Sequence, residues 1–233
     1  MAHCPFDFFT DGKKHTICLV GGGGKTTVMY ELAAAWAACG RKVLVLTSTH
    51  ILCPADGSFA ADVPAVKNLW QQGSYAVIGT PELATSKLTA PPQDLYEALK
   101  LQADVILCEA DGSRHHPCKV PAEYEPVLLP DSDIVLAVAG MDALGRPLAQ
   151  ACQRSQLAAE LLGCSLDSVI DAQMLASLLL SEQGARQNVG ARAYYIVLNK
   201  CDLLKAAQQE EILRLLVGAG MDEHRIWLRE RGE

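Results

Sequence analysis

The sequence predicts an α/β fold in which a mostly parallel sheet lies between two layers of helices, and three observations predict it. Short apolar runs rich in β-branched residues recur along the 233-residue chain, and continuous runs of this kind suit strands covered on both faces. Helical patterns separate them, as βαβ units require. The first run also passes into the first helical pattern through Gly21-Gly22-Gly23-Gly24-Lys25-Thr26-Thr27, a glycine loop that ends in a lysine.

Strands are expected at His15–Val20, Val43–Thr47, Tyr75–Ile78, Asp104–Glu109, Ile134–Ala139 and Tyr194–Asn199, with a weaker one at Arg225–Leu228. Helices are expected at Thr26–Cys39, closed by Gly40, and at Asp94–Leu101, Leu148–Leu162, Asp167–Leu180 and Leu203–Val217. Two stretches break the alternation. Ile51–Trp70 holds two prolines and a glycine and reads as a long excursion, while Pro117–Pro130 carries four prolines. Long irregular loops in compact domains are often functional. With half of its residues apolar, the chain can bury a core as one domain spanning residues 1–233.

Composition excludes several roles. A net charge of −7 with no basic run gives no electrostatic footprint for nucleic acid. No segment reaches the roughly 20 apolar residues of a membrane span, and Met1-Ala2-His3-Cys4-Pro5-Phe6-Asp7 lacks the basic start and apolar stretch of a secretory leader. Nine scattered cysteines read as thiols of a reducing cytoplasm.

The glycine loop is a phosphate-binding signature. Glycines let successive N–H groups turn toward one anion, the following helix adds its positive end, and Lys25 brings a mobile charge. Thr26 would hold a magnesium ion. Leu19 stands where the GxxxxGK[ST] pattern has its first glycine, so the loop is a variant. Some related loops carry a lysine at the position of Val20 that reaches across a dimer, which Val20 cannot do. A close-packed strand-to-helix turn is the alternative reading.

The strand ending in Glu109-Ala110-Asp111-Gly112 supplies acids of the sort that stand beside magnesium in P-loop enzymes. Asp111 is the expected ligand and Glu109 the alternate ligand or water positioner. Arg114 and Lys119 follow, where they would bind an acidic group or stabilise transition-state charge. His115, His116 and Cys118 lack the spacing of a metal site. Late in the chain, Asn199-Lys200-Cys201-Asp202 fits the NKxD pattern of guanine-binding proteins: Asp202 would accept from the base edge, Asn199 would fasten the loop, and Lys200 would lie over the ring. A helix cap at Asp202 is the plainer alternative. Thr47-Ser48-Thr49-His50 reads either as a switch segment or as hydroxyls closing a strand.

These segments, together with Lys119-Val120-Pro121-Ala122-Glu123-Tyr124-Glu125-Pro126 and Gly140-Met141-Asp142-Ala143-Leu144-Gly145, resemble the YqeC-type family of bacterial accessory proteins for selenium-dependent molybdenum hydroxylases. The resemblance covers nearly the whole chain. It implies a P-loop NTPase-like fold, a nucleotide-binding protein with Mg2+ and GTP or ATP, and a molybdenum hydroxylase client or a cofactor-maturation protein as partner. A homodimer stays open as a further association. Three functions compete: a slow NTP hydrolase whose nucleotide switches a loop, a small-molecule kinase or ligase acting on a cofactor precursor, and a nucleotide-stabilised scaffold without catalysis.

Overall fold

The computed structural model describes residues 6–82 and 84–231; Cys4 and the start of the chain read above for a leader lie outside the described residues. In chain order come β1 (His15–Gly21), α1 (Lys25–Ala38), β2 (Val43–Thr47), β3 (Ile51–Leu52), α2 (Val63–Gln71), β4 (Ala76–Val77), β5 (Thr80–Pro81), β6 (Lys87–Thr89), α3 (Gln93–Lys100) and β7 (Val105–Glu109). Then follow β8 (Cys118–Lys119), β9 (Ile134–Gly140), α4 (Leu148–Ala151), β10 (Cys152–Gln153), α5 (Ser155–Leu162), α6 (Ala172–Leu180), β11 (Ala193–Asn199), α7 (Ala206–Gly218) and β12 (Ile226–Arg229).

A seven-stranded sheet runs in the order β12-β11-β9-β1-β7-β2-β4. The pairs β1–β7, β7–β2, β2–β4 and β11–β12 are parallel. Helices flank this sheet, giving the α/β P-loop NTPase-like architecture with strand, glycine loop and helix in series. All seven expected strands belong to it, the weak one at Arg225–Leu228 included. Among the described residues no helix is long and apolar enough to cross a membrane.

By internal contacts the chain divides into two compact units. One comprises Met1–Leu19, Thr26–Ala110 and Val127–Ile134, and its core includes Ile17, Leu19, Met29, Leu32, Trp36, Leu44 and Leu107, all essentially without exposure. Trp36 stacks on Phe9, ring centroids 4.7 Å apart, and donates its indole N–H to Phe9 O at 3.0 Å. Helix α1 stops where Gly40 takes φ +78°, the left-handed stop that glycine tolerates best. The Ile51–Trp70 excursion is more ordered than its prolines imply. Pro64 sits in the first turn of α2, where its missing N–H costs nothing, and Asp62 caps that helix by accepting from Ala65 N at 2.8 Å. Strands β3, β6 and β5 form a small antiparallel sheet beside it in sequence.

The other unit comprises Val20–Lys25, Asp111–Pro126 and Val135–Glu233. Val135, Leu136, Ile196, Val197, Leu198, Ile212 and Leu216 are buried in it. The expected helix over Leu148–Leu162 is broken. Cys152 and Gln153 leave it to pair in parallel with Cys118 and Lys119, and Arg154 turns at φ +60° before α5 begins. Helical periodicity could not foresee this, because the competing bonds come from 34 residues upstream, as in Arg154 Nη1 to Val120 O at 3.4 Å. Helix α6 starts later than expected, at Ala172, where Asp171 accepts from Met174 N at 2.7 Å.

Candidate functional site

Gly21, Gly22 and Gly23 are hemmed in by backbone and Gly24 by the Asn199 side chain. A Cβ on Gly21 would lie 2.3 Å from Val138 O, one on Gly22 2.5 Å from His116 O, one on Gly23 2.1 Å from Gly140 N, and one on Gly24 2.5 Å from Asn199 Nδ2. Three of the loop N–H groups donate inside the protein: Gly21 to Asp111 Oδ2 (3.1 Å), Gly22 to Val138 O (2.8 Å) and Gly23 to His116 O (2.9 Å). The donors that remain toward an anion are those at the start of α1, around Gly24, Thr26 and Thr27, where a helix leaves N–H groups without intrahelical acceptors.

Lys25 is buried and folds back on the loop. Its Nζ donates to Gly21 O at 2.7 Å and lies 3.2 Å from Asp111 Oδ1. Asp111, also buried, meets a second lysine, because Lys119 Nζ is 3.1 Å from its Oδ2. Lys119 further donates to Gly112 O and to Glu125 Oε2, both at 2.7 Å, and Glu125 Oε2 takes Arg154 Nη1 at 2.9 Å. Burial alone would raise the Glu125 carboxyl; the hydrogen bonds and charges of Lys119 and Arg154 outweigh it and hold the group below the usual carboxylate range. Sequence reasoning singled out Lys119 but not Glu125 or Arg154. The Lys-x-x-x-x-x-Glu spacing was visible, but the broken helix that delivers Arg154 was not.

Strand β7 ends at Glu109, so Glu109 and Asp111 do not share one face of a continuing strand. Glu109 stands in register with Leu19 on β1 and Thr47 on β2. It accepts the Thr26 hydroxyl at 2.6 Å. A threonine hydroxyl and a carboxylate are hard oxygen donors of the type magnesium takes beside substrate phosphates, so these two residues fit that ion. Thr47 Oγ1 donates to Glu109 O (2.9 Å) and Ser48 Oγ to Val127 O (2.8 Å), so both hydroxyls are engaged at the strand end. His50 Nε2 lies 3.6 Å from Glu82 Oε1 on the surface. Arg114 is exposed at φ +48°, and His115, also exposed, follows at φ +65°.

Of the segment Asn199–Asp202 at the end of β11, Asn199 touches the glycine loop directly. Buried Asn199 donates Nδ2 to Gly23 O at 2.7 Å, while its Oδ1 accepts from Lys200 N and from the Arg229 guanidinium. Lys200 adopts φ +66° and pairs with Asp142 Oδ2 at 2.7 Å. Asp202 lies in a 3-10 turn and caps no helix, since α7 starts beyond Lys205. Its carboxylate accepts Arg231 N at 3.0 Å and Arg231 Nε at 2.7 Å, and this partner holds it below the usual carboxylate range.

The eight described cysteines are free thiols. Cys118 and Cys152 face each other in the β8–β10 pair, and the neighbouring thiol and burial push Cys118 up. Among the described residues no cluster of three His, Cys, Asp or Glu side chains is arranged to hold a metal ion.

Comparison with known proteins places this arrangement. The chain is 31% identical over 231 residues to the uncharacterised protein YqeC of Escherichia coli strain K12, covering 91% of this chain and 86% of that protein. A more distant likeness, 23% identical over 209 residues, links it to the signal recognition particle receptor FtsY of Rickettsia conorii; it covers 87% of this chain and 65% of the receptor. The YqeC protein family model matches residues 17–156, from β1 through the Asp111–Pro126 loop to α5. The chain belongs to the YqeC family.

Proposed function

We propose that this protein binds a magnesium nucleoside triphosphate, GTP or ATP, on the loop Gly21–Thr27. In this reading Lys25 and Lys119 meet the phosphates, Thr26 and Glu109 hold magnesium, and Asn199, Lys200 and Asp202 stand beside the base. The observation that carries it is the bond from Asn199 Nδ2 to Gly23 O, which joins the NKxD segment to the glycine loop. A close-packed turn that bound nothing would have no need of a base-reading segment fastened to it.

Magnesium, when bound, neutralises charge on the transferring phosphoryl oxygens. The chain's own part is to orient and to hold charge: α1 offers its N-terminal N–H groups, Lys25 follows the outer phosphates, and exposed Arg114 is placed in sequence to approach developing charge. Bound nucleotide switches a loop, Thr47–Ile51 or the stretch that opens at Asp111, and so controls docking to a client. Family resemblance supports an accessory role in selenium cofactor maturation of a molybdenum hydroxylase.

Single-turnover hydrolysis by the purified protein tests this. The switch reading expects turnover on the order of 10⁻⁴ to 10⁻² per second without a partner. Fast, partner-free turnover overturns it, and phosphate appearing on a small acceptor instead of in solution moves the assignment to a kinase or ligase.

A further inference from the structure

Asp111 sits between two buried lysines and the first N–H of the glycine loop. Its Oδ2 accepts the Gly21 N–H and lies 3.1 Å from Lys119 Nζ, and its Oδ1 is 3.2 Å from Lys25 Nζ. The side chains of all three charged residues are at most 2% exposed. Oδ1 is buried without a hydrogen bond of good geometry, so the carboxylate fits this cradle imperfectly. The adjoining cavity, lined among others by Val20, Gly21, Asp111 and Lys119, measures about 10 Å³, the room of about one water molecule. No phosphate enters it while Asp111 stays.

We infer that Lys25 and Lys119 form a two-lysine oxyanion site for a terminal phosphate and that Asp111 is its built-in competitor, displaced when the phosphate binds. The inference rests on the nucleotide reading above and adds its regulation. Lys119 stays behind when Asp111 leaves, because Glu125 and the β8–β10 pairing hold it; Glu125 and Arg154 are thus positioning residues. The segment that must move begins at Asp111. The sign of the effect separates this role from that of a magnesium ligand. Removing a magnesium ligand weakens nucleotide binding, whereas removing a competitor strengthens it, most clearly where no magnesium is present.

The test is calorimetric binding of ATP and GTP in EDTA by the full chain and by Asp111→Asn, which keeps the shape and an acceptor for Gly21 N–H. A charge-assisted bond of ordinary strength predicts binding about tenfold to a hundredfold tighter in D111N, and Lys119→Ala added to that variant should reverse most of the gain. Equal or weaker binding in D111N overturns the inference and leaves the nucleotide reading standing. Binding by neither protein, with magnesium or without, overturns the reading and the inference together. Wild-type hydrogen exchange guards against a misfolded variant: saturation with a non-hydrolysable triphosphate should speed exchange at residues 111–116, and unchanged exchange there contradicts displacement.

Discussion

Gly23→Ala tests why the loop is made of glycine. The added Cβ would stand 2.1 Å from Gly140 N and 2.7 Å from Pro117 O. Real Cβ contacts essentially never fall below 3.0 Å, so backbone must retreat by about 0.9 Å, the difference between 3.0 and 2.1 Å. That shift strains two buried bonds, Gly140 N to Pro117 O (2.8 Å) and Gly23 N to His116 O (2.9 Å). Each costs about 1–3 kcal/mol if left unsatisfied. The φ of +74° adds about 1–2 kcal/mol for an L-residue. Together these give about 3–8 kcal/mol, a large part of the roughly 5–15 kcal/mol that holds a domain folded. Gly40→Ala is the control. Its φ is +78°, but nothing lies within 4 Å of the new Cβ, so only the conformational cost of about 1–2 kcal/mol remains. Urea unfolding of both variants at constant m-value measures the difference. If Gly23→Ala loses no more stability than Gly40→Ala, contact with the chain itself is not what demands glycine there.

Three further outcomes follow from the charges and thiols. Glu125 is held below the usual carboxylate range, so its contribution is present above the unfolded value of about 4.3 and lost as pH falls through the lower folded value; wild type and Glu125→Gln should differ in urea midpoint at pH 7 and converge in acid, and a gap constant from pH 7 to pH 3 contradicts the pairing. Burial pushes the Cys201 thiol up to about 12, while Cys39 is exposed. At pH 8 Cys201 therefore carries on the order of a thousandfold less thiolate than an ordinary cysteine, and peptide mapping after brief iodoacetamide treatment should find Cys39 labelled well before Cys201. Arg231 takes the Asp202 carboxylate in a surface pair, so Arg231→Ala should tighten GTP binding by about twofold to fivefold and leave ATP unchanged, as read by competition binding; an equal effect on both nucleotides removes Asp202 from base recognition.

Much of this fold was legible because the sheet strands are buried on both faces and read as apolar runs, from Ile17 to Val20 and from Ile134 to Ala139. What failed did so for definable physical reasons. The prolines of Ile51–Trp70 read as breakers, although Pro64 behind Asp62 is a helix-start signal. The helix over Leu148–Leu162 satisfied local periodicity, and only pairing with Cys118 and Lys119 broke it. At the site, the motif marked Asn199 as a residue that fastens a loop, but its bond to Gly23 O, 176 residues away, was not legible. Nor were the partners of the charged groups: Arg154 reaches Glu125 only through the broken helix, and Arg231 reaches Asp202 across 29 residues. Thr26 meeting Glu109, with Asp111 set against two lysines, likewise depends on β7 ending where it does.

The central claim is that the glycine loop and Asn199–Asp202 together bind a magnesium nucleoside triphosphate. Calorimetric affinity for Mg–GTP and Mg–ATP, measured on wild type, Lys25→Ala and Asp202→Ala, tests it most directly. Saturable binding that Lys25→Ala abolishes, with a GTP preference that Asp202→Ala removes, is the predicted result. Binding of neither nucleotide, or binding indifferent to Lys25, would contradict the account.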